Sequence, residues 1–226
     1  KKGKRMKARS ILKQFKNLFS VNISFADLKH KKTIFLYSGD VPQNGFYNKF
    51  IGLSLTQANS QHIKHNVTNK LPLNDNCVDI YQSEDVFEHI ELTKLPSVIN
   101  EIYRVLKPTG VLRLSLPDYQ CDILHNRTQK SETGDLLFDP GGGGGFVNGK
   151  VVNGGHVWFP EYNTVKEPLE KTPFKDIAFY HYYDESGKDV THPIDYSMGH
   201  IMRTPDHDER VKDPYRPMSI VVDYKK

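Results

Sequence analysis

The second half of this chain is rich in side chains that can move a proton: Asp118, His156, His192, Asp195, His200 and the run Asp206-His207-Asp208. Imidazoles and carboxylates take the proton from a hydroxyl that is to act as a nucleophile, provided they lie within hydrogen-bond reach. His156 ranks first among them, because it follows a glycine-rich stretch and precedes Trp158-Phe159, a setting that desolvates a base. Asp118 ranks second, at the end of an apolar strand. His207 ranks third, since a neighbouring carboxylate orients an imidazole and raises its basicity. Interleaved aromatic residues, among them Trp158, Tyr162, Tyr180, Tyr182, Tyr183 and Tyr196, suit a polyhydroxylated acceptor such as a sugar. Rings pack on apolar sugar faces while carboxylates and imidazoles take the hydroxyls. The expected acceptor-binding residues are Tyr119, Trp158, His192, Asp195 and His200. No HxxxH pair or paired-carboxylate motif is present, and no metal is expected.

These groups need a scaffold, and the stretch from Leu71 to Tyr119 describes one. Val78 to Tyr81 is a short apolar run after the turn-forming Asn74-Asp75-Asn76 and reads as a buried strand, with Ser83 to Glu88 as its exit loop. From Leu92 onward, Leu95, Val98, Ile99, Ile102, Val105 and Leu106 recur at three- and four-residue steps, so they share one helix face. Pro108-Thr109-Gly110 supplies a stop, and Val111 to Leu116 is the next strand. Strand, helix and strand form a βαβ unit with parallel strands and a right-handed crossover. Ligands bind beyond the carboxyl ends of such strands, which puts Ser83 to His89 and Pro117 to Tyr119 on the working edge.

In order, Leu71-Pro72, Val78-Asp79, Ser83, Glu88-His89-Ile90, Glu101, Tyr103 to Pro108, Gly110 and Leu114-Ser115, closed by Pro117-Asp118, resemble the central half of class I S-adenosylmethionine-dependent methyltransferases. The resemblance implies an α/β, Rossmann-like sheet, mostly parallel with an antiparallel final strand pair, and helices on both faces. It also implies S-adenosylmethionine as cofactor and S-adenosylhomocysteine as product. In that family a glycine-rich turn close to G-x-G-D follows the first strand. Here Thr33 to Tyr37 is that strand, and the turn reads Tyr37-Ser38-Gly39-Asp40, one glycine short. Phe50 to Leu53 is the second strand, with Ser54 where the family offers a carboxylate to the cofactor ribose. Ile63 to Val67 is the third, with Asn66 near the adenine position. The cofactor-binding residues implied are Ser38, Gly39, Asp40, Ser54, Asn66, Val67, Ser83, Glu84, Asp85 and His89. The closing pattern GHIMRTPDHDER…PMSIVVDYKK is similar to small methyltransferases of glycan-building gene clusters, and a domain of a multidomain glycan-building protein of a large DNA virus infecting algae fits it. That likeness implies transfer to a sugar hydroxyl, rhamnose being one such deoxyhexose, with a glycan or nucleotide-sugar as acceptor and a cytoplasmic location.

With 226 residues, 37% hydrophobic and 26% charged, the chain suits one globular domain with insertions. Residues 1–30 read as a basic, amphipathic N-terminal arm and residues 31–226 as the domain, carrying a Gly-rich insertion at about 133–155. The start on Lys1 suggests a piece of a longer, multidomain polypeptide. No run of about 18 apolar residues exists, so no membrane span is expected. The net charge of +4 is carried by the eight Lys/Arg of residues 1–20, and the remainder is net acidic, unlike a DNA-binding surface. The arm nevertheless keeps open RNA or protein methylation as an alternative. The missing glycine at Tyr37 keeps open a degenerate fold that only binds. Five glycines at 141–145 lack the Gly-Lys-Ser/Thr ending of a phosphate loop, leaving a substrate lid or a loose loop. Phe174 to Tyr183 and Met218 to Val222 read as the two late strands.

Overall fold

The computed structural model describes residues 22–226, so residues 1–21 of the arm read over residues 1–30 lie outside the described residues. Five strands come first: β1 (Phe35–Ser38), β2 (Ile51–Ser54), β3 (His62–Lys64), β4 (Val78–Glu84) and β5 (Leu106–Pro117). Two hairpins follow, β6 (Gln129–Lys130) with β7 (Leu136–Phe138) and β8 (Gly145–Val147) with β9 (Lys150–Val152). The late strands are β10 (Asp176–Tyr183), β11 (Asp189–Thr191) and β12 (Ser219–Lys225). The helices are α1 (Phe25–Leu28), α2 (Leu95–Val105), α3 (Asp122–Arg127) and α4 (Tyr162–Glu170). No helix among the described residues is long and apolar enough to cross a membrane.

One eight-stranded sheet organises the chain in the order β11-β10-β12-β5-β4-β1-β2-β3. Strands β1 to β5 run parallel. The last strand, β12, inserts between β5 and β10 and is antiparallel to both. This is a doubly wound sheet whose order reverses between β1 and β4, so its crevice lies beyond the carboxyl ends of those two strands.

Leu95, Val98, Ile99, Ile102 and Val105 are the buried stripe of α2, and they join Leu36, Leu53, Tyr81, Leu112 and Leu114 of the sheet in the main core. Val165 and Leu169 of α4 close the same layer. The helix stops at Val105, earlier than Pro108 suggested, because Leu106 already pairs with Val78 and turns Lys107 to Gly110 into the first part of β5. Strand β4 runs on to Glu84, past Tyr81. Ser83 and Glu84, expected in a loop, are buried strand residues.

Among the described residues, the helices expected on both faces of the sheet pack on one face, and irregular segments cover the other. Tyr37, Val41, Tyr47, Phe50 and Ile80 form one cluster on the opposite face, and Ile194, Ile201 and Val221 another, with no helical residue in either. Two irregular segments, roughly 40–50 and 192–211, take the place of helices there. An irregular cover brings backbone groups that need partners, and the sheet supplies them. Arg113, fully buried, donates to the carbonyls of Asp195 (2.9 Å) and Gly199 (2.7 Å) and makes a two-pronged pair with Asp223. Gln82 donates to the carbonyl of His200, and Glu84 accepts from the Met202 amide at 3.0 Å. Burial pushes the Glu84 carboxyl up, although Tyr47 donates to it at 2.7 Å.

Candidate active site

Beyond the carboxyl ends of β1, β2 and β4 lies a cleft of about 540 Å³. That volume is within the range of small-molecule sites, roughly 300–1,000 Å³. Gly39, Leu53, Asn66, Val67, Val86 and His89 contribute to its walls. Gly39 has φ +83°, a conformation that L side chains rarely adopt, and so brings bare backbone to the wall. The missing glycine is harmless to this geometry. Tyr37 is an ordinary residue of β1 whose ring packs on Tyr47 and Phe50 on the opposite face, away from Gly39's turn.

Other residues expected at the cofactor hold its walls from behind. Ser38 is buried and donates to the Tyr81 hydroxyl at 3.0 Å. Ser54 accepts from the amides of Thr56 and Gln57 at 3.1 and 2.8 Å, capping the turn that aims Leu53 and Leu55 at the cleft. Asp40 is exposed in the following loop. Ser83 is buried in β4, Glu84 holds the 192–211 cover, and Asp85, at φ +54°, pairs with Arg203.

At the cleft's rim a second set of groups converges. His89 lines the cleft and its ring lies 4.7 Å, edge-on, from that of His156. His156 is 4% exposed; its Nδ1 meets the Tyr119 hydroxyl and its Nε2 lies 3.5 Å from Oε1 of Glu88. The Tyr119 hydroxyl donates to Asp139 at 2.6 Å, and Asp139 is gripped in turn by Arg127 at 2.8 and 2.6 Å. Although burial works against it, the bonds from Arg127 and Tyr119 hold the Asp139 carboxyl below its usual range. Burial pushes His156 down to about 4, so its imidazole is neutral at physiological pH. Burial also pushes Glu88 up to about 8, and both of its oxygens lack a hydrogen-bond partner. The close pair His156–Glu88 is therefore uncharged near pH 7 rather than an ion pair.

The glycine run builds this rim. The segment folds into the two hairpins, with Asp139 accepting from the Gly141 amide at 2.8 Å. A Cβ on Gly142 would stand 2.6 Å from His156 Nε2, closer than real Cβ atoms approach. Gly142→Ala must therefore displace a buried ring. We expect a loss of about 1–3 kcal/mol in urea denaturation, the usual cost of forcing an extra methyl group into a packed site.

The remaining predicted residues stand elsewhere. Asp118 is a buried clamp that accepts from the amides of Gln120 and Tyr183 at 3.1 and 3.0 Å, tying β5 to β10. Trp158 donates to the carbonyls of Phe87 and Ile90, both at 3.0 Å, and packs in the main core; it holds the loop that carries Glu88 and His89 and offers no face to a sugar. Asp195, His200 and His207 belong to the irregular cover of the opposite face. There His200 stacks on Phe46 at 4.3 Å and His207 Nδ1 meets the Ile201 carbonyl. His192 is exposed beside β10. Glu88, Asp139 and Arg127 were not singled out as site residues from the sequence. Only Glu88, next to His89, had a signal.

Ionisation of these buried groups reaches into stability. Glu88 in the fold keeps its proton up to about pH 8, whereas in the unfolded chain it releases it near about 4.3. Unfolding then releases a proton, and stability falls as pH rises through that window. His156 and His181, both pushed down to about 4 by burial, act oppositely, but only below the ordinary imidazole range near 6.5. Urea midpoints of the chelator-treated protein are expected to decline from pH 6.5 to 8, and Glu88→Gln to flatten that decline.

Comparison with known proteins agrees with the fold. The Methyltransferase domain family matches residues 46–114, from just before β2 into β5. A crystal structure of an S-adenosylmethionine-dependent methyltransferase from Archaeoglobus fulgidus superimposes with a TM-score of 0.50 at 13% identity, covering 89% of this chain and 92% of that one. A methyltransferase from Thermotoga maritima, described as a possible histamine N-methyltransferase, gives 0.50 at 13% identity over 89% and 86%. No curated protein sequence matches the chain. The chain thus shares the fold of these methyltransferases, and its central part, residues 46–114, matches the Methyltransferase domain family.

Proposed function

We propose that this methyltransferase domain moves a methyl group from S-adenosylmethionine to a hydroxyl of a sugar-like acceptor, with His156 as the base. The observation that carries the reading is the chain Asp139–Tyr119–His156, which ends beside the cleft wall formed by His89. Bound S-adenosylmethionine supplies an electrophilic methyl on a good leaving group. A hydroxyl attacking that methyl must lose its proton, and an amine acceptor present as the free base has less need of a buried base.

The cleft suits the cofactor: its volume, the bare backbone at Gly39 and the Asn66 amide, which both donates and accepts as an adenine edge requires, all support this assignment. Within the rim, the Tyr119 hydroxyl has a single proton and gives it to the ionised Asp139. His156 Nδ1 then carries a proton toward the phenol oxygen, leaving Nε2 as the acceptor. When Nε2 takes the acceptor's proton, the resulting imidazolium is stabilised through Tyr119 by Asp139. This is the orienting logic of a base backed by a carboxylate. The choice of a sugar among hydroxyl acceptors, such as a deoxyhexose in a glycan, rests on the likeness of the closing sequence pattern.

Calorimetry with S-adenosylhomocysteine, followed by methyl transfer assays on a panel of glycosides, tests the proposal. Binding together with His156-dependent methylation of a hydroxyl supports it. Absence of binding up to millimolar ligand removes it, and methylation of amines alone removes the hydroxyl assignment.

A further inference from the structure

Glu88 poses a problem that a proton relay does not solve. Its carboxyl is fully buried, yet neither oxygen has a hydrogen-bond partner. A buried polar group left unpaired is costly, so a fold that retains one points to something that completes it. The neighbours indicate what that is. His89 Nδ1 lies 2.9 Å from the Gly154 carbonyl, which can only accept, so that nitrogen carries the proton and Nε2 keeps its lone pair. His156 reaches the same state by the argument above, its Nδ1 engaged by Tyr119. Two imidazoles thus present bare Nε2 atoms, each fixed from behind by a protein acceptor. Metal-binding histidines are held in this way.

The spacing agrees. One ligand atom from each of Glu88, His89 and His156 can be chosen so that all three lie within 4.8 Å of one another. The Glu88–His156 separation of 3.5 Å matches the edge of a tetrahedron whose ligands sit about 2.0–2.2 Å from the centre, roughly 3.3–3.6 Å. Two imidazoles and one carboxylate make a donor set suited to divalent transition metals, and three protein ligands leave positions open. Arg127 is occupied by Asp139 and does not compete for Glu88.

We propose that Glu88, His89 and His156 form a binding site for a divalent transition-metal cation of the Zn²⁺ or Co²⁺ type, with open positions for the acceptor's hydroxyl. The role assigned to the ion rests on the proposed methyl transfer; the binding itself does not. With the ion in place His156 Nε2 is a ligand, and the hydroxyl is acidified by coordination, releasing its proton to solvent instead of to the imidazole. Sequence spacing conceals such a site, because His156 stands far along the chain from Glu88-His89.

The test is titration of the chelator-treated full chain with Co²⁺, followed by visible absorption and calorimetry, with S-adenosylhomocysteine binding measured in parallel. One ion per chain is expected, with affinity lost in Glu88→Gln and His89→Ala. Tyr119→Phe, which frees His156 from its backing, is expected to weaken Co²⁺ about 10–100-fold while S-adenosylhomocysteine still binds. Half-buried His89 gives a variant that folds even if the Glu88 change does not. No Co²⁺ binding by a protein that binds S-adenosylhomocysteine overturns the site and leaves the methyl-transfer reading standing, as does binding indifferent to both substitutions. Co²⁺ held by these residues in a protein that never binds S-adenosylhomocysteine does the reverse.

Discussion

His156→Ala is expected to lower kcat by about 10²–10⁴-fold, the range lost when a positioned acid–base group is removed, while S-adenosylhomocysteine binds as before. Separating the two readouts is possible because His156 is not among the cleft-lining residues; it reaches the cleft through His89. The size of the effect follows from the environment. His156 is buried, neutral near pH 7 and held at Nδ1, so its removal takes away a group already positioned and able to accept a proton. Tyr119→Phe should fall between wild type and His156→Ala, since it leaves the imidazole but removes its link to Asp139. A His156→Ala enzyme within a few-fold of wild type would place the base elsewhere and end the assignment. His156 as a metal ligand gives a loss in the same direction, so this result alone does not choose between base and ligand; the Co²⁺ titration does.

Asp223→Ala is expected to destabilise the fold by about 3–5 kcal/mol, read from urea denaturation, because it leaves the buried Arg113 cation without its counterion. Against a total domain stability of about 5–15 kcal/mol, that is a large fraction. Both side chains are almost completely shielded, with the Arg113 Nε and Nη2 atoms 2.8 and 2.7 Å from the two Asp223 oxygens. Replacing the pair together, as Arg113→Met with Asp223→Leu, is expected to cost much less than the single change on the burial of charge alone. The double variant still loses the bonds from Arg113 to the carbonyls of Asp195 and Gly199. Proteolysis within residues 192–211 should therefore quicken even where global stability is kept. A single-variant loss below about 1 kcal/mol would show that the cover is held by Gln82 and Glu84 instead.

Much of the scaffold is legible in the chain's local chemistry. The three- and four-residue spacing from Leu95 to Val105 describes a helix with one buried face, and that is the face on the core. The two late strands emerge near their expected limits, because alternation and turn residues act within a few residues of each other. The end of β4 was misread because Gln82, Ser83 and Glu84 look like loop residues. Their partners, the Met202 amide and the His200 carbonyl, lie more than a hundred residues along the chain. Trp158 misleads for a similar reason: indole next to a candidate base suggests a sugar platform, but its ring nitrogen is committed to two carbonyls.

By itself, then, the sequence determined the parallel core and the sheet edge on which the cleft opens, and it singled out His156 as a candidate base. Those rest on periodicity, turn chemistry and a short motif, all written in neighbouring residues. Only the tertiary structure decided that His156 meets Glu88, Tyr119 and Asp139, and that Asp118 and His207 serve the framework instead. It also decided that, among the described residues, one face of the sheet is covered by irregular segments. Burial and partner choice depend on what the rest of the fold brings within about 3 Å of a side chain, the reach of a hydrogen bond. No spacing along the chain encodes that.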